Sequence, residues 1–119
     1  MEIITQELID GIIAGIENKK GRDIQIVDLS GIEEAVTDAF VICTGGSPTQ
    51  VQAIADSVED ECRLNGDRPS AIAGMQNAIW VAMDYGRVMV HIFQEEAREF
   101  YDLEHLWADA EVKNIEDIL

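Results

Sequence analysis

Residues 77–107 read NAIWVAMDYGRVMVHIFQEEAREFYDLEHLW. An apolar run gives way to Asp84-Tyr85-Gly86-Arg87 and resumes from Val88 to Phe93. Two such runs around a Gly-containing turn predict a β-hairpin. With the turn centred on Tyr85-Gly86, Trp80 faces His91, Ala82 faces Met89 and Asp84 faces Arg87 on one side of the sheet. On the other side Ile79 faces Ile92, Val81 faces Val90 and Met83 faces Val88. That second side is wholly apolar and is predicted to line the core. The first side mixes an indole, a thioether, an imidazole and a charge pair, a composition suited to a partner surface.

Outward from the hairpin, the remaining segments alternate in type. Leu8, Ile9, Ile12, Ile13 and Ile16 form a stripe at helical spacing, so a helix is predicted from Thr5 to Lys20, with Thr5 as its cap and Ile4 stapled onto Ile9. Asp23 to Leu29 is rich in Ile and Val and predicts a strand; Ser30 to Thr37 is polar and predicts a connection. Ala39 to Thr44, AFVICT, is nearly continuous in apolar character, which predicts a strand buried on both faces. Gly45-Gly46-Ser47-Pro48 then leads into a helix reaching about Asn65. Ser47 suits the N-cap, Pro48 the first helical position, and Gln50 completes a capping box. Asp67 to Gly74 is expected to be a loop. After Phe93, a charged helical turn precedes Phe100, Leu103, Leu106 and Trp107, which are expected to fold back over the sheet edge. Val112, Ile115 and Leu119 recur at helical intervals, so Ala108 to Leu119 is expected to be a short docked helix or a frayed tail.

The chain has 119 residues, which predicts one domain spanning 1–119. At 47% hydrophobic residues it can bury a core. Its formal net charge is -16. That field opposes direct binding to a nucleic-acid backbone or to an anionic membrane and favours a basic protein partner. From Glu95 onward there are nine acids and two bases, so the acidity is concentrated beside the mixed face of the hairpin. Cys43 and Cys62 lack metal or disulfide spacing and fit small core residues in a reducing compartment. No segment approaches the roughly 20 apolar residues needed to span a bilayer, and the N-terminus lacks signal-peptide features, so a cytoplasmic location is expected.

Chemistry-bearing motifs are sparse. Thr44-Gly45-Gly46-Ser47 joins a strand to a helix start, a ready anion site. A nucleotidyltransferase uses such a turn against a triphosphate, together with a carboxylate pair on a neighbouring strand that holds a divalent metal. Here the following strand offers only Asp84, at its turn end, and the turn has no lysine of the P-loop kind. The capping box accounts for Ser47 and Gln50 without a ligand. His91 and His105 stand apart from any metal-ligand spacing, and no Ser, Cys or Thr has the context of an activated nucleophile. No metal, no cofactor and no catalytic residue is expected.

Five separated segments occur together and in order: Thr37 to Ile42 (TDAFVI), Ser47 to Asp56 (SPTQVQAIAD), Trp80 to Gly86 (WVAMDYG), Val90 to Phe93 (VHIF) and Arg98 to Trp107 (REFYDLEHLW). In these the chain resembles the ribosomal silencing factors, also called Iojap-like proteins, over roughly residues 23–107. It departs from their pattern at Ala39, Arg87 and Gln94-Glu95. The resemblance implies an α/β fold: a mixed β-sheet with flanking helices, of nucleotidyltransferase-like topology without the catalytic carboxylates. It also implies binding to a basic protein of the large ribosomal subunit, the fourteenth of the large-subunit series, at the intersubunit face. Small-subunit joining is then blocked and translation repressed. On this reading Trp80 is the anchor of the interface, Met89 and His91 extend it across the hairpin, and Asp84, Tyr85, Glu99 and Tyr101 form its rim. Two alternatives stand beside it: a nucleotidyltransferase-like enzyme binding nucleotide at Gly45-Gly46-Ser47, and a homodimeric adaptor self-associating through the first helix or the hairpin face.

Overall fold

A computed structural model describes residues 2–106 and 109–115. The elements in chain order are α1 (Ile3–Asn18), β1 (Arg22–Asp28), β2 (Ala39–Gly45), α2 (Pro48–Leu64), β3 (Ala71–Ala73), β4 (Trp80–Asp84), β5 (Val88–Gln94), α3 (Glu95–Tyr101), α4 (Leu103–Leu106) and β6 (Glu111–Ile115). The strands form one sheet in the order β3-β4-β5-β2-β1-β6. The β2–β5 pair is parallel and every other pair is antiparallel, so the sheet is mixed, as expected.

The two faces of the sheet carry different cores. On one, the stripe of α1 (Ile9, Ile12, Ile16) and that of α2 (Val51, Ile54, Val58, Cys62) meet Val41 and Cys43 of β2, Val81 and Met83 of β4, and Val88, Val90 and Ile92 of β5. The wholly apolar side of the hairpin therefore lines the main core. α1 and α2 approach backbone to backbone: a Cβ placed on Gly15 would lie 2.6 Å from Val58 Cα. On the other face a smaller core joins Val27, Leu29, Ile42, Phe93, Ala97 and Leu103. β2 sits between two paired neighbours and below both cores, which is why its sequence is apolar without alternation.

Several local expectations are corrected. The hairpin pairs Trp80 with Phe93, Val81 with Ile92, Ala82 with His91, Met83 with Val90 and Asp84 with Met89. This is a slip of two residues from the expected register. Because side chains alternate with period two, the slip leaves both faces as assigned but changes every opposite pair. Its cause lies in the reversal, which centres on Gly86-Arg87. Gly86 takes φ +80, and the Tyr85 N–H bonds the Val88 carbonyl at 3.0 Å. The Asp84 carboxylate accepts the Gly86 N–H at 2.7 Å and stands opposite Met89, not Arg87. Ile79 lies before the strand and is 51% exposed.

α1 starts two residues earlier than expected, with Glu2 at the N-cap and no side-chain cap, so Thr5 is buried inside the helix and Ile4 is exposed. Part of the expected 67–74 loop is the edge strand β3. The described part of the C-terminal segment is a strand, β6, paired along β1 from Ile24↔Ile115 to Asp28↔Glu111. The expected docking of Trp107, and the ends of the 108–119 segment, lie outside the described residues. Leu103 folds back into the smaller core, whereas Phe100 and Leu106 point outward.

Candidate functional site

α3 and α4 cover only part of the second face of the sheet. Toward β4 the covering helices end, and Trp80, Ala82 and Asp84 of β4, Met89 of β5 and Phe40 of β2 remain half-buried. Trp80 is the centre of an aromatic cluster. Its indole stacks on Phe93 at 5.0 Å and 27°, and Tyr101 of α3 leans against it at 4.6 Å and 44°. Phe100 meets Tyr101 edge-on at 5.1 Å and is 81% exposed. The cluster continues inward through His91 to Phe40, whose ring is T-shaped against the imidazole at 4.8 Å. A sheet face thus presents contiguous rings that grade from sealed (Phe93) through half-buried (Trp80) to open (Phe100). Such a gradient matches the anatomy of a protein-binding patch, an apolar centre with a wet margin.

Each side chain is held by its own local structure. The αL conformation at Asp102, φ 49, stops α3 after Tyr101. The guanidinium of Arg98 clamps α3 to the sheet, Nη1 donating to the Asp23 carbonyl at 2.6 Å and to Thr44 Oγ1 at 2.8 Å. Gln94 secures the start of β4 by donating from Nε2 to the Ala78 carbonyl at 2.9 Å. Trp80 Nε1 is 3.0 Å from His91 Nδ1, which fixes the indole in its plane. Burial holds His91 well below the ordinary imidazole range, at about 4, so the ring is neutral near pH 7.

The residues expected at the site are only partly brought together. Trp80, Met89, His91 and Tyr101 share the open face, and Asp84 lies at the far end of β4 on the same face with its carboxylate engaged in the turn. His91 sits beneath the patch and is 5% exposed. Glu99 lies on α3 beside a shallow cavity of about 310 Å³ shared with Asp23, Thr44, Glu95, Arg98 and Asp102. Tyr85 is placed on the opposite face. It packs on the helical core with its buried hydroxyl beside the Cys62 thiol, and burial pushes its phenol far up. Phe40, Phe93 and Phe100 belong to the cluster and were missed. Phe93 could have been found from the pairing, had the register been known. Phe100 carries no signal in the sequence that separates it from a core residue.

The alternative site is occupied by the protein itself. Ser47 Oγ accepts the Gln50 N–H at 3.1 Å, and Gln50 Oε1 accepts the Gly46 N–H at 2.6 Å. Gln50 Nε2 donates to the carbonyls of Lys19 and Lys20 at 3.1 and 3.2 Å. The Gly46 and Gln50 N–H groups, which would face a phosphate, are taken within the cap, and the Gln50 side chain ties α2 to the end of α1. Asp84 is at the other end of the sheet from Gly45, since Gly45 pairs with Gln94 while Asp84 pairs with Met89. Among the described residues no group of three His, Cys, Asp or Glu converges on a metal position. Burial raises the Cys43 thiol to about 12 and the Cys62 thiol to about 11, so neither supplies a thiolate near neutral pH.

Comparison with known proteins points the same way as the fold. The family model described as ribosomal silencing factor during starvation matches residues 3–119. The ribosomal silencing factor of Bacillus subtilis (strain 168) is 40% identical over 103 residues, covering 87% of this chain and 86% of that protein. The ribosomal silencing factor of Haemophilus influenzae is 40% identical over 101 residues, covering 85% of this chain and 98% of that protein. A crystal structure of a protein from Chromobacterium violaceum superposes with a TM-score of 0.83 at 34% identity, covering 91% of this chain and 88% of that one. This chain belongs to the ribosomal silencing factor family.

Proposed function

We propose that this chain silences translation by obstruction. It docks on a basic protein of the large ribosomal subunit, the fourteenth of its series, at the intersubunit face, and the small subunit can no longer join. No bond is made or broken in this account. The observation that carries it is the half-open aromatic cluster centred on Trp80, on a sheet face that α3 and α4 cover only in part. A patch of this kind, in a chain of net charge -16, suits a partner that is basic at its margin and apolar at its centre. Trp80, Met89 and Tyr101 are the contact residues of this reading, with Phe100 added and Glu99 on the acidic margin. His91 supports them from below, Asp84 shapes the adjoining turn, and Tyr85 is left to the core. Membership of the silencing family supports the ribosome as the target. Among the described residues no helix is long and apolar enough to cross a membrane.

The test is a subunit-joining assay followed by light scattering. Large subunits incubated with saturating protein before small subunits are added are expected to give a reduced fraction of joined ribosomes. Joining that proceeds to the same extent with and without the protein contradicts the proposal.

A further inference from the structure

His91 projects from β5 onto the open face, yet Phe40, Trp80 and Phe93 surround it with ring centroids at 4.8, 5.7 and 6.2 Å. A partner approaching the patch meets Trp80 and Tyr101 and not the imidazole. The hydrogen bond beneath them has one possible direction. An indole nitrogen only donates, so His91 Nδ1 accepts from Trp80 Nε1 at 3.0 Å and the neutral ring carries its proton on Nε2. Nε2 is buried and has no hydrogen-bond partner. A buried donor without an acceptor is costly, and a phenyl or aliphatic side chain would avoid that cost. What imidazole supplies at this depth, and those side chains do not, is an acceptor for the indole. Without one, the Trp80 N–H would have to turn outward to water or to a partner.

We propose that His91 is a positioning residue for the docking face: by taking the indole N–H it locks Trp80 so that the ring offers the partner carbon and no hydrogen-bond donor. This rests on the Trp80 face being the docking face. Trp80 is held from three directions, by Phe93 below, Tyr101 at its side and His91 at its nitrogen, so little ordering remains for binding to impose. The recognition of Trp80 is then by shape and apolar contact, and an acceptor on the partner gains nothing from the indole.

A double-mutant cycle on binding to purified large subunits tests it, using wild type, His91→Phe, Trp80→Phe and the pair together. His91→Phe keeps the ring and removes the acceptor, and is expected to weaken binding about fivefold. In the Trp80→Phe background there is no N–H to accept, and the same change is expected to alter affinity by less than about twofold. An equal loss in both backgrounds overturns the proposal, because it assigns His91 a role independent of the indole. Undiminished binding of His91→Phe overturns it as well. Should His91→Phe not fold, nitrogen NMR of the unaltered protein decides. The Nε2–H tautomer and a scalar coupling between Trp80 Nε1 and His91 Nδ1 are expected, and an Nδ1–H tautomer overturns the proposal. Wild-type protein that fails to bind contradicts the docking reading itself, whereas intact binding in every variant overturns this proposal and the anchoring role of Trp80 but leaves docking standing.

Discussion

His91 shows how far a single residue type can be taken from sequence. An isolated histidine on a strand, without metal spacing, reads from sequence as a contact on the partner surface. Its face was right and its depth was not, because depth depends on Phe40 and Trp80, which reach it from neighbouring strands. Burial has a measurable consequence. The folded-state value is lowered to about 4 from an ordinary 6.5, so the unfolded chain binds the proton more readily than the folded one. Between those values stability rises with pH; this contribution is fully present above about 6.5 and is lost as pH falls toward 4. The shift corresponds to about 3 kcal/mol. Thermal unfolding from pH 7 to pH 4.5 is expected to show a falling midpoint, with a shallower fall in His91→Phe. Equal slopes in the two proteins would show that His91 is not the group responsible. Tyr85 carries the complementary lesson: it adjoins the mixed face in sequence, but it falls just past the end of β4, at the turn, where its ring packs on the helical core.

At the scale of elements, what could be read depended on whether the signal was local. The capping box at Ser47 and Gln50 was legible because its geometry is set within four residues, and the structure adds the bonds from Gln50 to the end of α1. Gln50→Ala removes those bonds and is expected to cost about 1–2 kcal/mol in a denaturant titration. An unchanged midpoint would mean that water replaces them freely. β3 and β6 were not legible. Ala71–Ala73 is three exposed residues whose strand character comes from β4, and in Glu111–Ile115 the apolar Val112 and Ile115 fall three apart, a helical interval. Both are edge strands, so pairing and not burial defines them. The hairpin register slipped because Gly86 suits either of two turn positions, and the Asp84 bond to its N–H selects one.

The helix pair offers a sharper contrast. A Cβ at Gly15 would press into the Val58 backbone at 2.6 Å, whereas one at Gly11 would make ordinary contacts with Asn65 Nδ2 at 3.5 Å and Cys62 Sγ at 3.8 Å. Gly15→Ala is expected to destabilise by about 1–3 kcal/mol despite the better helix former. Gly11→Ala is expected to be neutral or to stabilise by up to about 1 kcal/mol. Equal effects at the two sites would remove the argument for close helix contact.

The molecule as a whole combines a core on each face of the sheet, a partly covered aromatic face and a charge of -16. Charge acts on encounter more than on the final contact, and it is screened by salt. The association rate with large subunits is therefore expected to fall about tenfold between low and high salt, while dissociation changes little. A salt-independent association rate would detach the acidity from recognition. The most direct test of the central claim is equilibrium binding to purified large subunits, comparing wild type, Trp80→Ala and a control on the opposite side of the molecule, Gln6→Ala on the exposed surface of α1. Wild type and Gln6→Ala are expected to bind alike, and Trp80→Ala about thirtyfold more weakly or worse, the loss of a central aromatic anchor. Trp80→Ala binding as tightly as wild type, while folded, would contradict the account.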